Sequence, residues 1–409
     1  MTTAASREFD IVVFGATSFV GQIICAHMVG RHGESGSLRW AIAGRSATKL
    51  DELNTALGVT LPTVVVNASD AAAMAKLAAS TRLVVSTVGP YALYGSPLVA
   101  ACVEAGTDYC DLTGEPQWMR AMIDAHHDGA VKSGARIIHT CGFDSIPSDL
   151  GVAFTQNESM SRFGAPCSTI AMRVKSMRGG ASGGTIASMM NVVEEASHNK
   201  ELRKVLANPY ALAPVGQREG VDQPNVMLPT RDGASGEWIA PFVMAPVNTR
   251  VVLRTHALLG YPWGRSFVYS EAMLMGRGPV GASKAAGLSG GLGGFMGALA
   301  VKPLRGLVSR FLPKPGEGPA PEKQLAGNFD LRFFGTTDAG QTIRTQVTGD
   351  RDPGYGSTAK MISEAALCLL NTPRTAAGTP GGFWTPAAAL GQPLIDALRA
   401  HAGMTFDVL

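Results

Sequence analysis

"FDIVVFGATSFVGQ", residues 9–22, reads as a buried strand, a tight glycine turn and the start of a helix. The unbroken apolar run Ile11–Phe14 suits a strand covered on both faces. Gly15 permits the turn, and Gly21, inside the helix, lets that helix pack close to the sheet. Ala16 completes the loop, and the backbone N–H groups of Thr17, Ser18 and Phe19 then face outward at a helix N-terminus, where the dipole favours a phosphate. Ser18 stands where a full dinucleotide fingerprint has its middle glycine. A serine is small, and its hydroxyl can donate to a phosphate oxygen, so the expectation is a pyrophosphate site. The competing reading is a plain structural turn.

The chain around this turn alternates short strands and helices. Strands are expected at 10–15, 38–43, 62–66, 82–86, 108–111 and 135–140, with helices at 19–31, 47–57, 70–79, 95–105 and 116–133. Val- and Ile-rich strands separated by helices predict an α/β domain over residues 1–150, a Rossmann-type doubly wound parallel sheet. Beyond it the pattern becomes half-buried and alternating, with strands expected at 168–177, 247–255, 265–274, 327–337 and 341–349. The last two flank Asp338-Ala339-Gly340 as a hairpin. Residues 151–350 are therefore expected to form an inserted α+β substrate domain with antiparallel strands. Residues 351–409 read as helices returning to the first domain, one of them capped by Ser357 or Thr358.

Composition narrows the function. A chain of 409 residues with 45% hydrophobic residues and a mean hydropathy of +0.12 is globular and apolar, and a net charge of +3 argues against a nucleic-acid partner. Its six cysteines lack CxxC spacing and a histidine grid, so they read as buried thiols, with no metal site. Arg7, Glu8 and Asp10 precede any apolar run, which points to a cytoplasmic protein without a signal peptide. Residues 278–314 carry two helical stripes. One comprises Leu288, Leu292, Phe295, Met296 and Leu299; the other comprises Leu304, Leu307, Val308, Phe311 and Leu312 beside Lys302, Arg305, Arg310 and Lys314. They fit either a helical pair packed on the core or a peripheral contact with an anionic membrane.

Further candidates lie at the ends of the expected strands. An NAD site usually has an acid after its second strand, whereas this chain has Gly44-Arg45-Ser46. A guanidinium there suits a 2′-phosphate and makes NADPH the expected cofactor, unless Arg45 is a solvated helix-start residue. Thr87, Val88 and Gly89 would cover the nicotinamide half, and Tyr91 or Tyr94 either donates to substrate or packs between domains. Asp111, Glu115, Asp144, Ser145 and Asp149 gather at the same edge, as acid–base groups or as turn formers and caps.

Taken together, "FDIVVFGATSFVG", "AGR", "STVGPYALYG", "YCDLTGE", "CGFDSIPSDLG", "APVNTRVVLRTHAL", "DPGYGSTAKM" and "TPAAALG" resemble the saccharopine dehydrogenase-like oxidoreductases, and among them the mycobacterial trans-acting enoyl reductases. The resemblance implies a Rossmann domain with an inserted substrate domain. It also implies NADPH-dependent saturation of a double bond in a polyketide-derived lipid, an acyl-thioester substrate, and a synthase or acyl carrier as partner. By position, Gly15, Ala16, Thr17, Phe19 and Gly21 form the phosphate loop and Gly44 and Arg45 meet the adenosine ribose; the family's GATGF becomes GATSF here. Enoyl reduction requires a donor that polarises the thioester carbonyl, and Tyr91, Ser145, Asn248 and Arg250 are the candidates. Two other readings stay open. One is a saccharopine-type dehydrogenase acting on an amino-acid C–N bond, with Arg173, Lys175, Arg178, Arg250 and Arg254 around its substrate; the other is a nucleotide-binding scaffold without turnover.

Overall fold

The computed structural model describes residues 7–34, 36–180, 183–308, 318, 320–375 and 378–409. Its strands are β1 (Phe9–Phe14), β2 (Trp40–Gly44), β3 (Thr63–Val65), β4 (Thr81–Ser86), β5 (Asp108–Asp111), β6 (Arg136–Ile138), β7 (Cys167–Arg178), β8 (Thr230–Arg231), β9 (Trp238–Ala240), β10 (Val268–Gly276), β11 (Asn328–Thr337), β12 (Thr342–Gly349), β13 (Gly382–Trp384) and β14 (Met404–Val408). Helices α1 (Phe19–His32), α2 (Ala47–Leu57), α3 (Ala71–Ser80), α4 (Tyr91–Tyr94), α5 (Ser96–Ala105) and α6 (Pro116–Ser133) alternate with the first six strands. The remaining helices are α7 (Ile146–Phe163), α8 (Gly183–His198), α9 (Lys200–Ala207), α10 (Ala245–Leu258), α11 (Gly278–Ala300), α12 (Lys302–Val308), α13 (Pro321–Leu325), α14 (Thr358–Asn371) and α15 (Pro386–His401).

The first sheet is parallel throughout, in the order β13-β6-β5-β4-β1-β2-β3. The chain leaves β1 toward β2 and β3, then crosses back to β4 on the other side. That reversal opens a crevice beyond the carboxyl ends of β1 and β4, the place where open α/β sheets bind ligands. Every residue of β1, β2 and β5 is buried; Ile11–Phe14 and Trp40–Gly44 are the apolar runs such a position needs, whereas β5 buries Asp108 and Asp111 against Arg136 and His139.

The second sheet runs β14-β12-β11-β7-β10-β9-β8. All its pairs are antiparallel except β7 with β10, so the expected antiparallel sheet is mixed. The connection between these two strands carries helices α8, α9 and α10, long enough for the crossover that a parallel pair needs. The hairpin at 338–340 forms, with the Gly340 N–H donating to the Thr337 carbonyl at 2.9 Å. The tail divides between the sheets: α14 packs on α1, β4 and β5, β13 extends the first sheet, and β14 extends the second.

Helix α7 joins the two layers. It leaves the first sheet after β6 and lies on β11, so close that a Cβ on Gly151 would fall 2.1 Å from the Phe333 ring. One apolar core therefore continues from Ile11 and Val13 through Ile146 and Leu150 to Phe333 and Val347.

Two sequence expectations change here. Residues 247–255 are not a strand; they lie in α10, with Pro246 in its first turn. The segment is buried on all sides, so its β-branched residues read as a strand while tertiary packing makes them a helix. The two apolar stripes fare differently. On α11, Gly281, Ala285 and Leu299 are buried and Leu292 and Phe295 half-buried, which makes this its core-facing side, whereas Leu288 and Met296 are exposed. Arg305 turns inward: its guanidinium pairs with Glu194 at 2.9 Å and donates to the Leu299 carbonyl at 2.9 Å, and so is committed to the fold. Arg310, Phe311, Leu312 and Lys314 lie outside the described residues, as do the side chains of Lys302, Leu307 and Val308. Among the described residues no helix is long and apolar enough to cross a membrane.

Candidate active site

The turn after β1 is built as its glycines demand. Gly15 has φ +85°, and a Cβ there would sit 2.5 Å from Thr87 Oγ1. A Cβ on Gly21 would fall 2.2 Å from the Gly15 carbonyl oxygen, so α1 can approach the turn only without a side chain at that position. Ser18 has another task than the one expected. It is the N-cap of α1: its Oγ accepts the Gly21 N–H at 3.0 Å and lies 2.9 Å from Thr87 Oγ1, which itself donates to the Gly15 carbonyl at 2.9 Å. Its own N–H is also spent, on the Gly15 carbonyl at 2.8 Å. The outward donors are thus the N–H groups of Thr17, Phe19 and Val20, which have no partner among the described residues. Three free donors at a helix N-terminus fit a pyrophosphate.

At the end of β2, Gly44 is buried beside Thr17 and Arg45 is exposed, with no partner among the described residues. Ser46 caps α2, accepting the Lys49 N–H at 3.4 Å. No acid holds Arg45, so its guanidinium is free for a phosphate at the adenosine end of the crevice.

The loop after β4 is tied to the turn after β1. Thr87 N–H donates to the Phe14 carbonyl at 2.9 Å, Val88 packs against Gly15, and the Gly89–Pro90 peptide is cis. Glu115 ties down the next residues by accepting the N–H groups of Tyr91 and Ala92 at 2.8 and 2.9 Å. Tyr91 is buried; its hydroxyl donates to the Ser86 carbonyl at 3.1 Å and accepts the Leu112 N–H at 3.2 Å. Its proton is therefore committed to bracing β4 against β5, and burial pushes its pKa well above the ordinary phenol value.

The remaining predicted donors form an interior chain. Ser145 Oγ donates to Asn248 Oδ1 at 3.0 Å, Asn248 Nδ2 donates to Glu271 Oε2 at 3.0 Å, and Tyr269 donates to Glu271 Oε1 at 2.7 Å. Burial pushes the Glu271 carboxyl up to about 7, against the hydrogen bonds it accepts. Arg250 does not join this group, because it donates to the carbonyls of Pro246 and Leu206. Among the carboxylates, Asp111 lies 2.7 Å from His139 Nδ1 and accepts the N–H groups of Thr113 and Thr140. Asp149 accepts the Thr255 hydroxyl and the Ala387 N–H. Both tie elements together. Cys141 is fully buried, with burial holding its thiol well above the ordinary value, so it is no nucleophile.

A contribution the sequence reading did not foresee comes from the turn Pro353–Ser357. Asp352 accepts the N–H groups of Tyr355 and Gly180 at 2.8 and 3.0 Å, and Tyr355 packs edge-on against Phe19 at 5.0 Å between ring centroids. Thr358 Oγ1 donates to the Pro353 carbonyl and accepts the Phe143 N–H. The tail thereby fastens the phosphate loop, the loop after β6 and the end of β7 to one another. An Asp-Pro-Gly turn was visible in the sequence, but nothing there indicated what it would meet.

Comparison with known proteins agrees with this architecture. Residues 11–138 match the saccharopine dehydrogenase NADP-binding domain family. A saccharopine dehydrogenase (L-Glu forming) from Saccharomyces cerevisiae superposes with a TM-score of 0.53 at 14% identity, over 98% of this chain and all of that one (100%). A homospermidine synthase from Legionella pneumophila, in complex with NAD, gives 0.51 at 9% identity over 98% of this chain and 92% of that one. These likenesses establish the fold and, with the domain match, place the chain among NAD(P)-dependent oxidoreductases of the saccharopine dehydrogenase-like class. A Mycobacterium tuberculosis protein assigned by name to the trans-acting enoyl reductases is 41% identical, over 99% of this chain and 98% of its own. Further trans-acting enoyl reductases from Mycobacterium bovis and Mycobacterium ulcerans are 39% and 36% identical over 96% and 97% of either chain. The chain belongs to this family of trans-acting enoyl reductases.

Proposed function

We propose that the protein uses NADPH to saturate the α,β double bond of an acyl thioester, a polyketide-derived lipid intermediate handed over by a synthase or acyl carrier that lacks its own reductase. Full-length identity to proteins named trans-acting enoyl reductases carries this reading. The preference for NADPH over NADH rests on Arg45, an exposed guanidinium at the end of β2, without a partner among the described residues, where a ribose-binding acid would otherwise stand. When bound, the reduced nicotinamide supplies a hydride. The chain's own groups bind and orient: the free N–H groups of Thr17, Phe19 and Val20 hold the pyrophosphate, and Thr87, Val88 and Gly89 form a fixed floor for the nicotinamide half.

The saccharopine-type alternative draws less support from the cations expected around its substrate. Arg173 is buried and paired with Asp232 at 2.9 Å, Arg254 donates to the Leu212 and Phe383 carbonyls, and Arg250 is likewise spent on backbone carbonyls. Lys175 and Arg178 are exposed at the end of β7. Three of the five cations expected around a multiply charged amino-acid substrate are therefore committed to the fold. The test is NADPH oxidation with a trans-2-enoyl thioester of pantetheine, with the saturated acyl product identified by mass spectrometry. NADPH that binds but is consumed only with an amino acid and an oxo acid would replace this reading with the saccharopine-type one. Binding without turnover on either substrate would favour a scaffold.

A further inference from the structure

The reaction needs a proton as well as a hydride, and four of the donors foreseen from the sequence are engaged: Tyr91 donates to the Ser86 carbonyl, Ser145 to Asn248, Asn248 to Glu271, and Arg250 to the Pro246 and Leu206 carbonyls. Tyr94 is exposed at the protein surface. Most carboxyl groups around the same edge are engaged too. Asp111 holds His139, Thr113 and Thr140; Glu115 holds Tyr91 and Ala92; Asp149 holds Thr255 and Ala387; Asp352 holds Tyr355 and Gly180.

Asp144 differs from them. It lies on the turn between β6 and α7, at the carboxyl edge of the first sheet, and the residue is half-buried. Its Oδ2 is shielded from solvent and has no hydrogen-bond partner among the described residues. The room for this oxygen comes from Gly142, where a Cβ would fall 2.8 Å from Oδ2 and 2.7 Å from both Leu112 and Thr358. A buried carboxyl oxygen without a donor is costly when ionised and acceptable when protonated.

We infer that Asp144 is the proton donor of the reduction, delivering its carboxyl proton to the α-carbon of the enoyl thioester as hydride reaches the β-carbon; this assignment rests on the enoyl-reductase reading. The hydride pair forms the new C–H bond at the β-carbon, and the electrons of the C=C bond move toward the thioester carbonyl. They return to the α-carbon as the Asp144 O–H bond breaks. NADP⁺, the saturated thioester and a carboxylate remain, and water returns a proton to the carboxylate.

The groups facing Asp144 favour its acid form. Asp111 approaches from β5 with His139 beside it, Tyr91 from the loop after β4, and Cys141 from its own turn, while the start of α14 presents Thr358. None is a lysine or arginine. Burial first, and the Asp111 charge second, push the Asp144 carboxyl up to about 8, so it carries its proton near neutral pH.

The test compares wild type with Asp144→Asn, which keeps the shape and removes the acid. With NADPH and the trans-2-enoyl pantetheine thioester, kcat should fall about 10²–10⁴-fold, while NADPH affinity, measured by calorimetry, stays within about threefold and shows the variant folded. The wild-type rate should decline above about pH 8 as the acid ionises, and this limb should vanish in the variant. Retention of the wild-type rate by Asp144→Asn would overturn the assignment. A wild type that binds NADPH but never oxidises it would instead refute the enoyl reading. In that case infrared difference spectra of wild type against Asp144→Asn still decide the residue's state. A protonated carboxyl stretch near neutral pH, titrating with a midpoint near 8, upholds Asp144 as an acid for another acceptor; an ionised carboxylate overturns it.

Discussion

Replacing Gly21 by alanine tests whether the phosphate loop works as built. The added Cβ would lie 2.2 Å from the Gly15 carbonyl oxygen, 2.9 Å from the Ala16 carbonyl oxygen and 2.9 Å from Ser18 Oγ. Reaching ordinary contact at 3.4 Å moves the first turn of α1 outward by about 1 Å, because two of the three atoms are backbone. Such overpacking costs about 1–3 kcal/mol, and the better helix propensity of alanine returns about 0.5–1 kcal/mol, so the net loss of stability is about 1–2 kcal/mol. The larger effect falls on the cofactor. The N–H groups of Phe19 and Val20 ride on the displaced turn, and a hydrogen bond to a charged group contributes about 1.5–3 kcal/mol. Loss of one such bond weakens NADPH binding about 10–100-fold. Calorimetric titration gives the affinity and thermal unfolding the stability. Gly30→Ala is the control on the same helix: nothing lies within 4 Å of its added Cβ, so it should leave NADPH affinity unchanged and add about 0.5–1 kcal/mol. If Gly21→Ala bound NADPH within about twofold of wild type, the proposed contact between this turn and the pyrophosphate would be refuted.

Two further outcomes follow from single residues. Arg45→Ala should weaken NADPH binding about 10–100-fold and leave NADH almost untouched, since a guanidinium–phosphate pair contributes about 1.5–3 kcal/mol and NADH lacks that phosphate; equal losses for both nucleotides would remove Arg45 from the 2′-phosphate. For Glu271, the folded carboxyl is pushed up to about 7 from 4.5 by burial, so the folded state keeps a proton that the unfolded chain has lost. Its contribution is complete below about 4.5 and is lost as pH rises through about 7. Glu271→Gln should therefore gain on the wild type by an amount on the order of 2–3 kcal/mol between pH 5 and pH 8, measured by urea unfolding; a constant difference across that range would contradict the raised value.

How much of this was legible depended on the kind of signal each residue carried. Strands β1, β2 and β4 announced themselves because a sheet covered on both faces needs apolar runs, while β5, Asp-Tyr-Cys-Asp, and the half-exposed β3 were legible mainly from their spacing between helices. Gly15 and Gly21 were readable because their roles are local: a turn and a close helix. The role of Ser18 was not, since its cap and its contact with Thr87 depend on how β4 ends, far along the chain. Helix α10 was misread because its valines and threonines alternate as a strand would, although Pro246 marked a helix start. Asn248 and Ser145 proved to be direct hydrogen-bond partners, with Asn248 held in turn by Glu271, a residue with no local feature to single it out. Strands β13 and β14 are short and take their identity from partners in the two sheets.

The account stands or falls on where the hydride goes. The direct measurement incubates the protein with NADPH deuterated at the transferable C4 position and a trans-2-enoyl thioester of pantetheine, then locates the label in the product by mass spectrometry and NMR. One deuterium at the β-carbon, with a solvent-derived hydrogen at the α-carbon, is the predicted result. A thioester recovered unsaturated and unlabelled, from protein shown to bind NADPH, would contradict it.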